Sequence, residues 1–290
     1  MLDDTKSLAR RVRNRIAPLP PQDSYPYISG DAYRLRCDFD LTKFGNSIDI
    51  ILDTINVSDF CSIFVGGEKE GSLLLNFLVE KNLFTNWSLF FHNHDVSPSS
   101  TLVEKIVGHV KRVYAQGWLG QHESVQALPS GLENKCKLRN GVPSDFSKEI
   151  RRGIVRDREI SVFISFKESN NLRERDGLKS IFSSLKGAYS PASPVNAKKY
   201  RKALLNSRYV VSPPGNGPDC HRTWESIYLG AIPIVLRHSW PFVGDSLPVL
   251  VVDSWQDALE QVNYGKNLEF DPRLHDPLLI WDRYVNDFFE

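Results

Sequence analysis

Short continuous apolar runs alternate along the chain with longer runs at helical spacing. "CSIFVGG" (61–67) is apolar throughout and stops at two glycines, which predicts a strand buried on both faces. "GSLLLNFLVEKN" (71–82) then reads as a helix. The pair recurs in "WSLFFHNHD" (87–95), a strand breaking into a polar loop, and "SSTLVEKIVGHV" (99–110), a helix with a Ser/Thr cap and Glu104 in its first turn. "KRVYAQG" and "SVQALPSGLEN" add two strands, and a helical stretch is predicted over Thr42–Thr54. The segment "NKCKLRNGVPSDFSKEIRRGIVRDRE" (134–159) has no apolar run and reads as a link. A second series follows, with strands in "ISVFISF", "RYVVSP", "AIPIVLR" and "LPVLVVD" and helices in "LKSIFSSLKG", "NAKKYRKALLNS" and "SWQDALEQVNYG". Alternation of this kind is the signature of parallel α/β sheets. It predicts two Rossmann-like α/β domains, 1–145 and 146–290, facing a central cleft. The last amphipathic segment, "DPLLIWDRYVNDFF", can cross back onto the first domain.

One stretch departs from this regularity, "SPPGNGPDCHRTWESIYLGAIPIVL" (212–236). In an open α/β sheet ligands sit where strands hand over to helices. Here Pro213 and Pro214 stiffen the exit, and Gly215 and Gly217, with Asn216 between them, let a ligand approach the main chain. Asp219 or Cys220 opens the next helix, with Asp219 the better N-cap. The helix N-terminus presents free N–H groups to an anion, and Arg222 adds a planar cation suited to phosphate. Glu225 follows one turn later, where a carboxylate suits the hydroxyls of a ribose. The pattern therefore points to a nucleoside diphosphate, most simply as a nucleotide-sugar. Taken singly, each residue also fits an ordinary turn with a surface ion pair.

Ser212–Leu236 resembles the donor-binding segment of exostosin-like glycosyltransferases, which have the GT-B fold. Matching positions are Pro214, Gly215, Arg222, Glu225, Gly230 and Pro233. The resemblance covers about 40 residues. It implies that Glu225 holds the nucleotide ribose and that the loop and Arg222 face the diphosphate and sugar. The Glu-Lys pair of fucosyltransferases is absent, and the longer two-glutamate pattern of the glycogen synthase type is not clear. The implied activity is sugar transfer from a nucleotide diphosphate-sugar donor to a glycan, lipid-linked glycan or other hydroxyl acceptor. The expected course is inverting and metal-independent, with no cofactor.

Other polar loops supply partners. Arg173, with Arg175 and Lys167 behind it in preference, lies in "KESNNLRERDG" and is placed on the diphosphate. His238 and Trp240 are placed against the base or sugar. For the general base, the first half offers Asp31, His94 and Asp95. Asn93 and Asp95 can equally shape a turn, and Asp31 can be a cap. Glu133 and Asn134 leave another strand end toward the same cleft. His92, His94 and Asp95 are too closely spaced for a metal site, and "DFD" (38–40) lacks a preceding strand.

Composition narrows the rest. A net charge of +1 leaves no general affinity for nucleic acid, and four scattered cysteines show no metal or disulfide spacing, which suits a reducing compartment. No apolar run approaches the ~20 residues of a membrane span. Cytoplasmic location is the expectation. Leu8, Val12 and Ile16 among Arg10, Arg11, Arg13 and Arg15 allow peripheral membrane contact or an ordinary docked helix. Two rivals remain: a non-catalytic nucleotide-sugar or glycan-binding protein of the same fold, and a dinucleotide oxidoreductase, for which "VGGEKEG" has the wrong glycine spacing.

Overall fold

The structure is a computed structural model that describes residues 21–94, 97–137, 140–151, 158–264 and 272–289. The basic stretch around Leu8, Val12 and Ile16, and the candidate base Asp95, lie outside these residues.

Two five-stranded parallel sheets form the frame. The first runs in chain order: β1 (Phe39–Asp40), β2 (Cys61–Val65), β3 (Trp87–Phe91), β4 (Arg112–Gln116), β5 (Val125–Leu128). The second contains β6 (Ile160–Phe163), β7 (Ala188–Tyr189), β8 (Ser207–Val211), β9 (Ile232–Leu236) and β10 (Leu250–Val252), in the spatial order β10-β9-β8-β6-β7. Every residue of β2, β3 and β9 is buried. That is why these strands read as unbroken apolar runs: helices cover both faces of a parallel sheet. Among the described residues no helix is long and apolar enough to cross a membrane.

Several local expectations are corrected. Thr42–Thr54 is not one helix: a 3-10 turn (Leu41–Lys43) and a short helix (Ile48–Leu52) are separated by Gly45, whose φ is 58°. The two-residue strands β1 and β7 are too short to show any period in sequence. β1 contains Asp40, whose carboxylate takes Arg34 at 2.6 Å and caps the turn after it, so "DFD" is structural. Ser99 caps the helix Ser100–Ile106, which leaves Glu104 beyond the first turn. The 134–159 stretch carries the helix Pro143–Arg151, anchored by fully buried Phe146. The expected boundary at 145/146 therefore falls inside a helix.

One apolar cluster joins the two sheets. It includes Phe90 and Tyr114 of the first sheet, Phe163 of the second, and Trp224, Tyr228, Trp281 and Tyr284. The C-terminal segment reaches the first sheet, where Phe289 stacks on Phe90 at 4.5 Å and Phe288 on Tyr114 at 4.6 Å. From the other end, Ile28 donates its backbone N–H to the Tyr228 hydroxyl, and the Tyr33 hydroxyl donates to the Tyr284 carbonyl.

The strand order of the second sheet decides where a ligand can bind. From β6 the chain steps outward to β7, then crosses back to β8 on β6's other side and continues to β9 and β10. The loops leaving β6 and β8 diverge around this point, and a crevice opens there between their carboxyl ends.

Candidate active site

A cavity of about 750 Å³ occupies that crevice and extends toward the first sheet. This is within the range of small-molecule sites. Its walls are the carboxyl-end loops of β3, β4 and β5 on one side (His94, Ser97, Gln116, Gly117, Ser130, Glu133) and those of β6, β7 and β8 on the other (Ser165, Lys167, Pro194–Ala197, Gly215–Arg222). Tyr200 and Glu225 close the floor from two neighbouring helices.

The proline-glycine loop is held from the β6 side. Arg175 is 3% exposed, and its guanidinium donates to the carbonyls of Pro214 (2.7 Å), Lys167 (2.9 Å) and Pro213 (3.2 Å). Asn171 donates its amide to the Gly215 carbonyl at 3.0 Å. Burial, with Arg222 close by, lowers the Arg175 pKa to about 10, so it is still a cation at neutral pH. Gly215 is required for a reason different from the one expected. Neither Gly215 nor Gly217 is left-handed, but a Cβ at Gly215 would lie 2.9 Å from the Arg175 guanidinium. On the facing wall Gly117 has φ 69°, and a Cβ there would lie 3.1 Å from Pro218.

The helix His221–Tyr228 starts at Cys220, whose side chain makes no capping bond. The N–H groups of His221 and Arg222 are thus left for solvent or a ligand, while that of Thr223 reaches the Cys220 carbonyl at 3.0 Å. The expected cap, Asp219, has another task. Its carboxylate accepts the backbone N–H of Ser130 at 2.7 Å and the Trp224 indole N–H at 2.8 Å, tying the two sheets together. Burial raises its pKa. Arg222 donates Nε to the Ser165 carbonyl at 2.9 Å and rests over Phe166 at 5.6 Å, which aims it at the β6 exit. The helix ends at a glycine. Gly230 at φ 74° lets its own N–H reach the Ile227 carbonyl and that of Ala231 reach Ser226, a Schellman closure.

Glu225 is 3% exposed and accepts the Tyr200 hydroxyl at 2.8 Å. Burial raises its pKa, an effect opposed by His221 and the Tyr200 bond. It does not pair with Arg222, although the spacing would allow it. A buried carboxylate with one neutral partner in a cavity wall has lone pairs left for a ligand. His221 precedes it by one turn, and its Nδ1 lies 2.9 Å from the Gly131 carbonyl.

The candidate residues thus divide. Gly215, Asn216, Gly217, Asp219, Arg222, Glu225 and His94 line one cavity, and Pro214 supports its wall. Others do not line it. The Arg173 side chain is 93% exposed beside Glu174, because it faces outward from the short helix Leu172–Arg175, whose last residue, Arg175, faces inward. His238 is 59% exposed and also leans on Glu174, while Trp240 packs into the core against Phe242. Asp31 is buried on the N-terminal side, where its carboxylate accepts the Gln22 N–H and burial raises its pKa. His92 is a core histidine, with Nε2 donating to the Pro129 carbonyl at 2.9 Å and its pKa lowered by burial to about 3. Among the described residues no three His, Cys, Asp or Glu side chains group as metal ligands. Tyr200 was not legible as a site residue, since in "AKKYRKALL" it follows the helix's apolar phase.

No protein-family model matches the chain, and the comparison with curated proteins returns no match.

Proposed function

We propose that this protein is a glycosyltransferase of two-domain, GT-B-like and exostosin-like design. It would move a sugar from a nucleotide diphosphate-sugar to a glycan or other hydroxyl acceptor. One observation carries the reading. A glycine loop fixed by Arg175, an uncapped helix start bearing Arg222, and a buried Glu225 one turn further all face one cavity at a topological switch point.

Each part has a chemical use. The backbone N–H groups of His221 and Arg222 and the Arg222 side chain suit the diphosphate and the charge that grows on it as the sugar leaves. Lys167 lines the same wall. Glu225 suits the two ribose hydroxyls, with the Tyr200 hydroxyl holding its other oxygen. The loops of β3–β5 form the acceptor side. The transfer is a direct displacement at the anomeric carbon, and the nucleoside diphosphate departs.

Titration calorimetry with nucleoside diphosphates and nucleotide-sugars tests this. The wild type should bind at least one nucleotide family. Glu225→Gln turns charged bonds of about 1.5–3 kcal/mol into neutral ones of about 0.5–1.5 kcal/mol, a loss of about 1–1.5 kcal/mol per bond, so Kd should rise by at least about 5- to 13-fold. Arg222→Met should weaken the diphosphate but not the free nucleoside. Unchanged affinity in both variants would remove the basis of the assignment.

A further inference from the structure

Of the residues considered for proton transfer in the first half, Asp95 lies outside the described residues, and the others fit the task poorly once they are seen in place. Asp31 does not line the cavity. Both ring nitrogens of His94 are shielded from solvent. His92 is locked in the core by bonds at both nitrogens.

His221 differs from all of these. It lines the cavity at the seam between the two sheets, on the first turn of the helix that carries Glu225. Its Nδ1 lies 2.9 Å from the Gly131 carbonyl, which belongs to the loop leaving β5. A carbonyl oxygen can only accept, so Nδ1 must hold the proton. The neutral ring then carries its lone pair on Nε2. Among the described residues Nε2 has no hydrogen-bond partner. The tautomer is fixed by the fold, and the basic nitrogen is left for the cavity.

We infer that His221 is the general base of the transfer and that the Gly131 carbonyl is its orienting partner. The inference rests on the transferase reading above. In the step, the acceptor O–H bond breaks as its oxygen bonds the anomeric carbon, and the proton passes to His221 Nε2. The bond from the anomeric carbon to the diphosphate oxygen breaks, and its electron pair leaves with the nucleoside diphosphate. Nε2 then releases its proton to water. The base comes from the donor-side helix, so donor grip and base share one rigid element.

His221→Asn tests the assignment. The Asn amide can keep the hydrogen bond to Gly131 but has no nitrogen at the Nε2 position and no basic one. The probes are a panel of nucleoside diphosphate-hexoses, with water and simple alkyl glycosides as acceptors. Donor affinity is read by calorimetry and turnover by released nucleoside diphosphate. The expected result is a donor Kd within about threefold of wild type and release slowed by about 10²- to 10⁴-fold. Glu133→Gln removes the rival carboxylate on the acceptor wall. Release by His221→Asn within fivefold of wild type overturns the base assignment and leaves the transferase reading standing. So does a loss seen in Glu133→Gln and not in His221→Asn. A wild-type protein that binds nucleotide-sugar but releases nothing from it also overturns the assignment. A wild-type protein that binds none of the panel overturns both readings.

Discussion

Replacing Arg175 by methionine should loosen the loop that everything else depends on. Methionine fills similar space but cannot donate. The change deletes bonds to Pro214 at 2.7 Å, Lys167 at 2.9 Å and Pro213 at 3.2 Å. At about 1.5–3 kcal/mol for a charged donor, the two shorter bonds alone set a gross loss of about 3–6 kcal/mol. Two terms reduce it. The buried cation no longer has to be desolvated, and its repulsion with Arg222 disappears. A net loss of about 2–4 kcal/mol remains. A chain of this length has an unfolding entropy of about 0.6 kcal/mol/K, so Tm should fall by about 3–7 °C. Scanning calorimetry of the free protein measures it. Arg173→Ala is the internal control, because its side chain is 93% exposed and should shift Tm by less than about 1 °C. If Arg175→Met costs no more than Arg173→Ala, the loop is not held by the guanidinium, and the account of the site fails at its first step.

Three further outcomes follow from the same structure. Burial raises the Glu225 pKa, so the folded form holds this proton more tightly than the unfolded chain, and the contribution is greatest below the unfolded value. Stability should therefore decline as pH rises through and above about 4.5, and Glu225→Gln should flatten that decline in denaturant titrations across pH. His92 has the opposite sign. Its folded pKa near 3 means stability is lost as pH falls below about 6.5, by at most about 4–5 kcal/mol, and His92→Gln should reduce this acid sensitivity in the same titrations. Gly117→Ala forces a Cβ into a left-handed position against Ser97 and Pro218, and should cost about 1–3 kcal/mol with a parallel loss of nucleotide affinity by calorimetry.

The α/β class, most of the strands and the main helices were legible because burial in a parallel sheet writes itself as local apolar runs. Gly230 ends its helix by the same kind of local logic, since a Schellman closure involves only neighbouring residues. It also drew attention to the loop and helix at 213–225, where prolines, glycines and charges sit too close together for an ordinary connection. It failed where two positions share one local signal. Arg173 and Arg175 have the same chemistry two residues apart, and only the turn of a four-residue helix sends one to solvent and the other beneath the loop. Asp219 has a cap's sequence position, but the pull of Ser130 and Trp224 draws its carboxylate elsewhere.

What the sequence by itself determined is therefore most of the elements and the irregular proline-glycine turn at 213–219. Tertiary structure alone decided which side chains meet. Tyr200 finds Glu225 across 25 residues, Arg175 finds Pro214 across 39, and His221 finds Gly131 across 90. Contacts at such separations depend on strand order and on how two sheets pack over a common core. A local pattern of apolar and polar positions carries information about neither.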